Sequence, residues 1–178
     1  MSSDQVILRS FNSSDIDSLS ELLNNKKIWD QLRDYLPHPY SREDAEQYIN
    51  SKAKEKPILT FAVEMDNKLI GNISLKPQKD IHRHSAELGY WIGEPYWGNG
   101  YAPLAIQKIV TYGFQELKLS RIFATVMENN PGSMKALTKS WFKLEGISKK
   151  GFIKNDRYLD EHRFAVLNPE IFNEEQNG

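Results

Sequence analysis

Cysteine is absent from the 178 residues. That absence removes a disulfide framework, a thiolate zinc site and a cysteine nucleophile. Long apolar runs are absent too: nothing approaches the roughly 18 consecutive apolar residues that suggest a membrane span. The opening Met1-Ser-Ser-Asp-Gln5 lacks the basic-then-apolar order of a secretory signal. Net charge is almost absent, since 23 basic and 24 acidic residues leave −1. This balance gives no broad field to steer the chain toward nucleic acid or an anionic membrane, and neither is an expected partner. The expected compartment is the cytoplasm. The two histidines in His82-x-His84 have no neighbouring carboxylate pair to complete a ligand set, so they read as loop residues and no metal is expected.

What is present is an ordinary globular composition, 39% hydrophobic and 26% charged, at the length of one domain. No repeat, low-complexity run or linker divides the chain, so residues 1–178 are expected to form a single domain with a core over about 6–168. Val6 to Arg9 reads as a strand. Ile16, Leu19, Leu22 and Leu23 keep helical spacing after a cap at Ser13 or Ser14, and Ser41 opens a second helix toward Ser51. Ile58–Met65 and Lys68–Leu75 flank Asp66-Asn67 as a hairpin, and Ala86–Ile92 is a third strand of that region. Ile106, Ile109, Val110, Phe114 and Leu117 form a helical stripe over 102–117, with Pro103 tolerated in its first turn. A strand over 121–127, a helix from Ser133 to Trp141 or Phe142, and two strands joined around Lys154-Asn-Asp156 complete the order. The fold class is α/β (α+β), a mixed central sheet flanked by helices.

The segment from Leu88 to Leu104 runs strand, glycine-rich turn, helix. Gly98 and Gly100 let the backbone bend tightly and approach a ligand, and the helix N-terminus that follows offers unpaired N–H groups to a phosphate. Gly-x-Gly before a helix is also a common tight turn. It is neither a P-loop, for lack of Gly-Lys-Ser/Thr, nor a dinucleotide fingerprint, because position 103 is proline. Gly89, inside a strand, suggests a bulge or a close approach where the strand splays.

Tyr96-Trp-Gly-Asn-Gly-Tyr-Ala102, preceded by Ala86-Glu-Leu-Gly-Tyr-Trp-Ile92, resembles the acetyl-CoA site of the GNAT superfamily of N-acetyltransferases. Ile7-Leu-Arg9, Pro37-His-Pro-Tyr40-Ser-Arg-Glu-Asp-Ala45, Asn130-Pro-Gly-Ser133 and Leu144-Glu-Gly146 are similar, more narrowly, to its RimJ/RimL branch of ribosomal-protein acetyltransferases. The resemblance covers nearly the whole chain. It implies acetyl-CoA as cosubstrate, in a cleft between splayed central strands, and direct attack of an amine on the thioester. Tyr90, Trp91 and Ile92 would border the pantetheine arm. Trp97, Gly98, Asn99, Gly100, Tyr101 and Ala102 would hold the pyrophosphate, with Asn130 and Ser133 beside the lower cofactor. The acceptor would be a protein N-terminal amine or a small-molecule amine, and the chain a monomer or homodimer.

The same resemblance makes Glu87 the candidate base, aided by burial near Trp91, against a purely structural carboxylate. The family's usual tyrosine acid falls on Leu137, and a loop glutamate of the RimL-like enzymes falls on Phe152. Leu104 and Trp141 depart from a common glutamate and glycine. Ser133 is the substitute acid, against a hydrogen bond to sulfur or a helix cap. Trp29, Asp34, Tyr35 and His38 would border the acceptor, or else belong to the core. A cofactor-binding sensor without turnover is the alternative function.

Overall fold

The computed structural model describes residues 6–171. The expected domain limits at 1–5 and 172–178 lie outside them. Seven strands form one mixed sheet in the order β1-β2-β3-β4-β5-β7-β6. Their ranges are β1 Val6–Arg9, β2 Thr60–Met65, β3 Lys68–Pro77, β4 Ser85–Ile92, β5 Arg121–Met127, β6 Lys143–Lys154 and β7 Arg157–Leu167. The helices are α1 Ile16–Leu23, α2 Lys26–Trp29, α3 Arg42–Lys52, α4 Tyr101–Gln115 and α5 Pro131–Lys139. Among the described residues no helix is long and apolar enough to cross a membrane.

Strand alternation sorts the apolar residues onto two faces. Val63, Ile73, Leu88, Ile122 and Val126 pack beneath α4, whose Ile106, Ile109 and Val110 are buried. Each such side chain contributes on the order of 1.5–3 kcal/mol of burial. The opposite face, through Ala62 and Leu69, meets Leu19 and Leu23 of α1 and Ile49 of α3. That second layer covers the β1–β4 half of the sheet. β6 closes the other edge and is exposed along most of its length.

Several boundaries differ from expectation for local reasons. Asn12, not Ser13 or Ser14, caps the first helical segment: its side chain accepts from Ser14 N–H, and Asp15 returns the bond in a capping box. Asn25 caps the short α2, which hydrophobic spacing had not revealed. Asn130 caps α5, so that helix begins at Pro131 rather than Ser133. α4 stops at Gln115, leaving Leu117 beyond it.

The feature that positions the site is a parting of two strands. β4 and β5 run parallel and pair only from Ser85–Arg121 to Glu87–Phe123. Beyond that point β5 continues to Met127 on β7, while β4 continues to Ile92 on β3. Gly89 makes no bulge: the β3–β4 register passes through it without a shift, and a Cβ there would only touch Ser74 Oγ at 3.5 Å.

Candidate active site

Where β4 ends, the chain turns through Gly98 and Gly100, both at φ +79°. An L side chain is strained in that left-handed region, and glycine is not. Side chains hold the turn shut. Trp97 Nε1 donates to Ile92 O at 2.6 Å, and Asn99 Nδ2 donates to Tyr96 O at 3.2 Å and Trp97 O at 3.1 Å. Gly100 caps α4 without any side-chain cap. Among the described residues none accepts a hydrogen bond from the backbone N–H of Gly98, Asn99, Gly100, Tyr101 or Ala102. Free donors at the positive end of a 15-residue helix make a site for an anion.

A cavity of about 490 Å³ opens beside this helix end. Tyr90, Trp91 and Ile92 from β4, and Trp97, Gly98, Gly100, Tyr101 and Ala102 from the turn, all line it as expected. Asn130 and Ser133 form part of the facing wall on α5. Asn99 does not line the cavity, because its amide is spent on the turn. Residues not anticipated also contribute. Ile28, Gln31 and Leu32 form a third wall, and Lys135 and Lys139 lie one helical turn apart on α5. Their i, i+4 spacing puts both lysines on one face of the helix already expected from Ser133. Free amides, two ammonium groups and an open strand edge suit a long polyanionic ligand with an amide-bearing arm.

Ser133 has a defined partner. Asn130 Oδ1 accepts from Ser133 N–H at 3.1 Å, so the helix cap is Asn130 and the Ser133 hydroxyl is left for other work. That hydroxyl lies 2.7 Å from the Tyr90 hydroxyl. Burial pushes the Tyr90 phenol up to about 12, against a smaller opposing effect of the Ser133 hydrogen bond.

The residues expected on the acceptor side are arranged differently. Glu87 does not line the cavity, and its side chain is 24% exposed. Arg33 Nη2 donates to its Oε1 at 2.6 Å, and Thr125 Oγ1 donates to the same oxygen at 3.3 Å. Trp29, Asp34, Tyr35 and His38 are also absent from the cavity lining. The Trp29 ring stacks on His38 with centroids 5.4 Å apart, and its Nε1 donates to Leu36 O at 2.8 Å. Tyr35 is 87% exposed and so belongs to neither core nor pocket. Asp34 accepts from Lys154 Nζ at 2.6 Å, and the same ammonium lies 3.5 Å from the Trp29 ring centroid. Trp29, Asp34 and His38 therefore brace the segment that carries Leu32 to the cavity. A lysine 154 residues into the chain carries no sequence signal for that role.

Residues 5–143 match the family described as acetyltransferase (GNAT) domain. The chain is 33% identical over 175 residues to the uncharacterized N-acetyltransferase YoaA of Bacillus subtilis, covering 95% of this chain and 97% of that one. It is 25% identical over 169 residues to the ribosomal-protein-serine acetyltransferase of Escherichia coli, covering 93% and 94%. The crystal structure of spermidine N-acetyltransferase from Vibrio cholerae, in complex with CoA and spermine, superimposes with a TM-score of 0.76 at 29% identity. That match covers 92% of this chain and 96% of that one.

Proposed function

Since the chain belongs to the GNAT acetyltransferase family and uses acetyl-CoA, we propose that it acetylates a primary amine by direct attack on the thioester. The observation that carries this reading is the parting of β4 and β5, which opens a cleft between the free amides of the α4 N-terminus and the Tyr90–Ser133 hydroxyl pair. The pyrophosphate is assigned to the N–H groups of Gly98, Gly100, Tyr101 and Ala102, and Lys135 and Lys139 offer counter-charge from α5. The pantetheine arm is assigned to the edge that β4 leaves unpaired between Leu88 and Ile92. Its amides would extend the sheet there as an added strand does.

In the reaction the amine nitrogen forms a bond to the acetyl carbon and the carbon–sulfur bond breaks. An amine that arrives as an ammonium sheds two protons. One passes to the departing thiolate, which ends as a thiol, and the other leaves to solvent by way of Glu87. Ser133 is assigned to hydrogen-bond the sulfur, with Tyr90 holding its hydroxyl in place. No described residue lining the cavity is a carboxylate or an imidazole, and Glu87, at the point where the strands part, is assigned as the proton acceptor.

Small amines and protein N-termini both fit this chemistry, and relatives of each kind support them. The narrower RimJ/RimL assignment rests on Asn130-Pro-Gly-Ser133 and its neighbours. The test is calorimetric titration of acetyl-CoA followed by thiol release with a panel of alkyl amines, polyamines and N-terminal peptides. Amine-dependent release establishes the transferase. Binding without release across the panel would support the sensor, and no binding would overturn the reading.

A further inference from the structure

Arg33 links the two strands just where they separate. Glu87 is the last β4 residue paired with β5, and Thr125 lies two residues further along β5. Arg33 Nη2 donates to Glu87 Oε1 at 2.6 Å and to Thr125 Oγ1 at 3.2 Å. Its guanidinium carbon lies 5.6 Å from the centroid of the Phe152 ring. A carboxylate, a hydroxyl and an aromatic face thus surround one cation. This cation is tethered but not trapped. The Arg33 side chain is 50% exposed, while its two chain neighbours are held: Lys154 Nζ donates to the backbone Leu32 O at 3.0 Å and to the side-chain Asp34 Oδ1 at 2.6 Å. Arg33 can therefore leave Glu87 by rotation of its own side chain, with Leu32 still on the cavity wall.

We propose that Glu87, Thr125 and Phe152 form the docking site for the ammonium group of the acceptor, and that Arg33 is a built-in occupant which a cationic amine must displace. The inference rests on the acetyltransferase reading above. It makes Arg33 a specificity residue: amines that arrive charged compete for Glu87, whereas weakly basic amines that are neutral at pH 7 do not. The chemical class favoured is the strongly basic alkyl amine, charged at pH 7, of which an alkyl diamine is an example. Only one contested ion pair separates the two states, so the effect on acceptor affinity is modest, roughly two- to fivefold for a half-exposed pair.

The experiment compares wild type with Arg33→Ala and Arg33→Met, using a diamine of alkyl type and an aromatic amine as acceptors. The variants are expected to lower KM for the diamine by about two- to fivefold and to leave KM for the aromatic amine where it was. Ethylguanidinium should inhibit the variants competitively against the diamine, and wild type more weakly. An equal acetyl-CoA Kd in all three proteins shows that they are folded. A KM that rises or stays constant for the diamine, or that falls equally for both acceptors, overturns the proposal. If wild type acetylates no amine at all, the transferase reading falls instead, and the two failures are distinct.

Discussion

The Tyr90 hydroxyl, from the middle of β4, lies 2.7 Å from the Ser133 Oγ in the first turn of α5. This contact spans the cleft that the parted strands create. It couples the strand proposed to carry the pantetheine arm to the helix on which the family resemblance would put a tyrosine acid and which carries Leu137, fully buried, at that position.

Tyr90→Phe removes the hydroxyl and keeps the ring, so the cavity wall survives. The expected result is a kcat lowered roughly two- to tenfold, the worth of one neutral hydrogen bond, with acetyl-CoA Kd little changed. Ser133→Ala should lower kcat at least as far, and the double variant should fall short of the product of the two because the residues act as a pair. Steady-state kinetics on all three variants measure this coupling. Full multiplicativity would show that the pair does not act together.

Burial of phenols also predicts a loss of stability at alkaline pH. Tyr90 and Tyr40 are each raised from 10.0 to about 12, in both cases chiefly by loss of hydration. Between those two values the unfolded chain releases protons that the folded chain retains, so stability is full below about pH 10 and declines toward about pH 12. Tyr90→Phe and Tyr40→Phe should each flatten that decline. Urea unfolding at a series of alkaline pH values, with wild type alongside, gives the comparison.

The sheet was legible in the sequence because β2 and β3 are apolar runs, β4 and β5 alternate, and the turns carry Asp66-Asn67 and Asn155-Asp156, which take the positive φ that tight turns need. The cofactor side was legible for a related reason: glycine spacing and the start of α4 are local signals. The acceptor side depends on long-range pairs. Glu87 finds Arg33 from 54 positions away, and Asp34 finds Lys154 from 120. No periodicity encodes such contacts. α2 was missed because four residues are too few to show a helical stripe.

Two glycines should respond differently to alanine. At Gly100 a Cβ would meet nothing within 4 Å, so the cost of Gly100→Ala is backbone strain alone, about 1–2 kcal/mol. This corresponds to a fall in Tm of roughly 2–8 °C, and acetyl-CoA affinity should drop as the helix cap rotates. At Gly71 a Cβ would lie 2.3 Å from Trp91 O and 3.1 Å from Ile92 Cα. Gly71→Ala must therefore push β4 away from β3, at about 1–3 kcal/mol or more of overpacking. Calorimetric Tm and acetyl-CoA Kd for both variants separate strain at the turn from displacement of the strand.

Lys154 ties the β6–β7 hairpin to the segment between α2 and α3. Its side chain is 3% exposed, yet its partner Asp34 is 63% exposed, so the two halves of the pair stand in different solvent. Lys154→Met would leave Asp34 free to hydrate, and the loss would fall on the charged hydrogen bonds to Asp34 and Leu32 O and on the contact with the Trp29 ring. Hydrogen bonds to charged groups are worth about 1.5–3 kcal/mol each, but hydration of Asp34 returns part of that, so a net loss of about 1–3 kcal/mol is expected. Asp34→Asn should cost less, because Lys154 keeps the Leu32 carbonyl and the ring. The two variants should also differ in function. With Lys154 gone, Leu32 is released from the cavity wall and Arg33 from its fixed backbone, which should raise KM for the acceptor, whereas Asp34→Asn keeps Leu32 in place. Urea unfolding and acceptor KM measured on both variants test this order, and an Asp34→Asn variant as impaired as Lys154→Met would assign the bracing to the carboxylate instead.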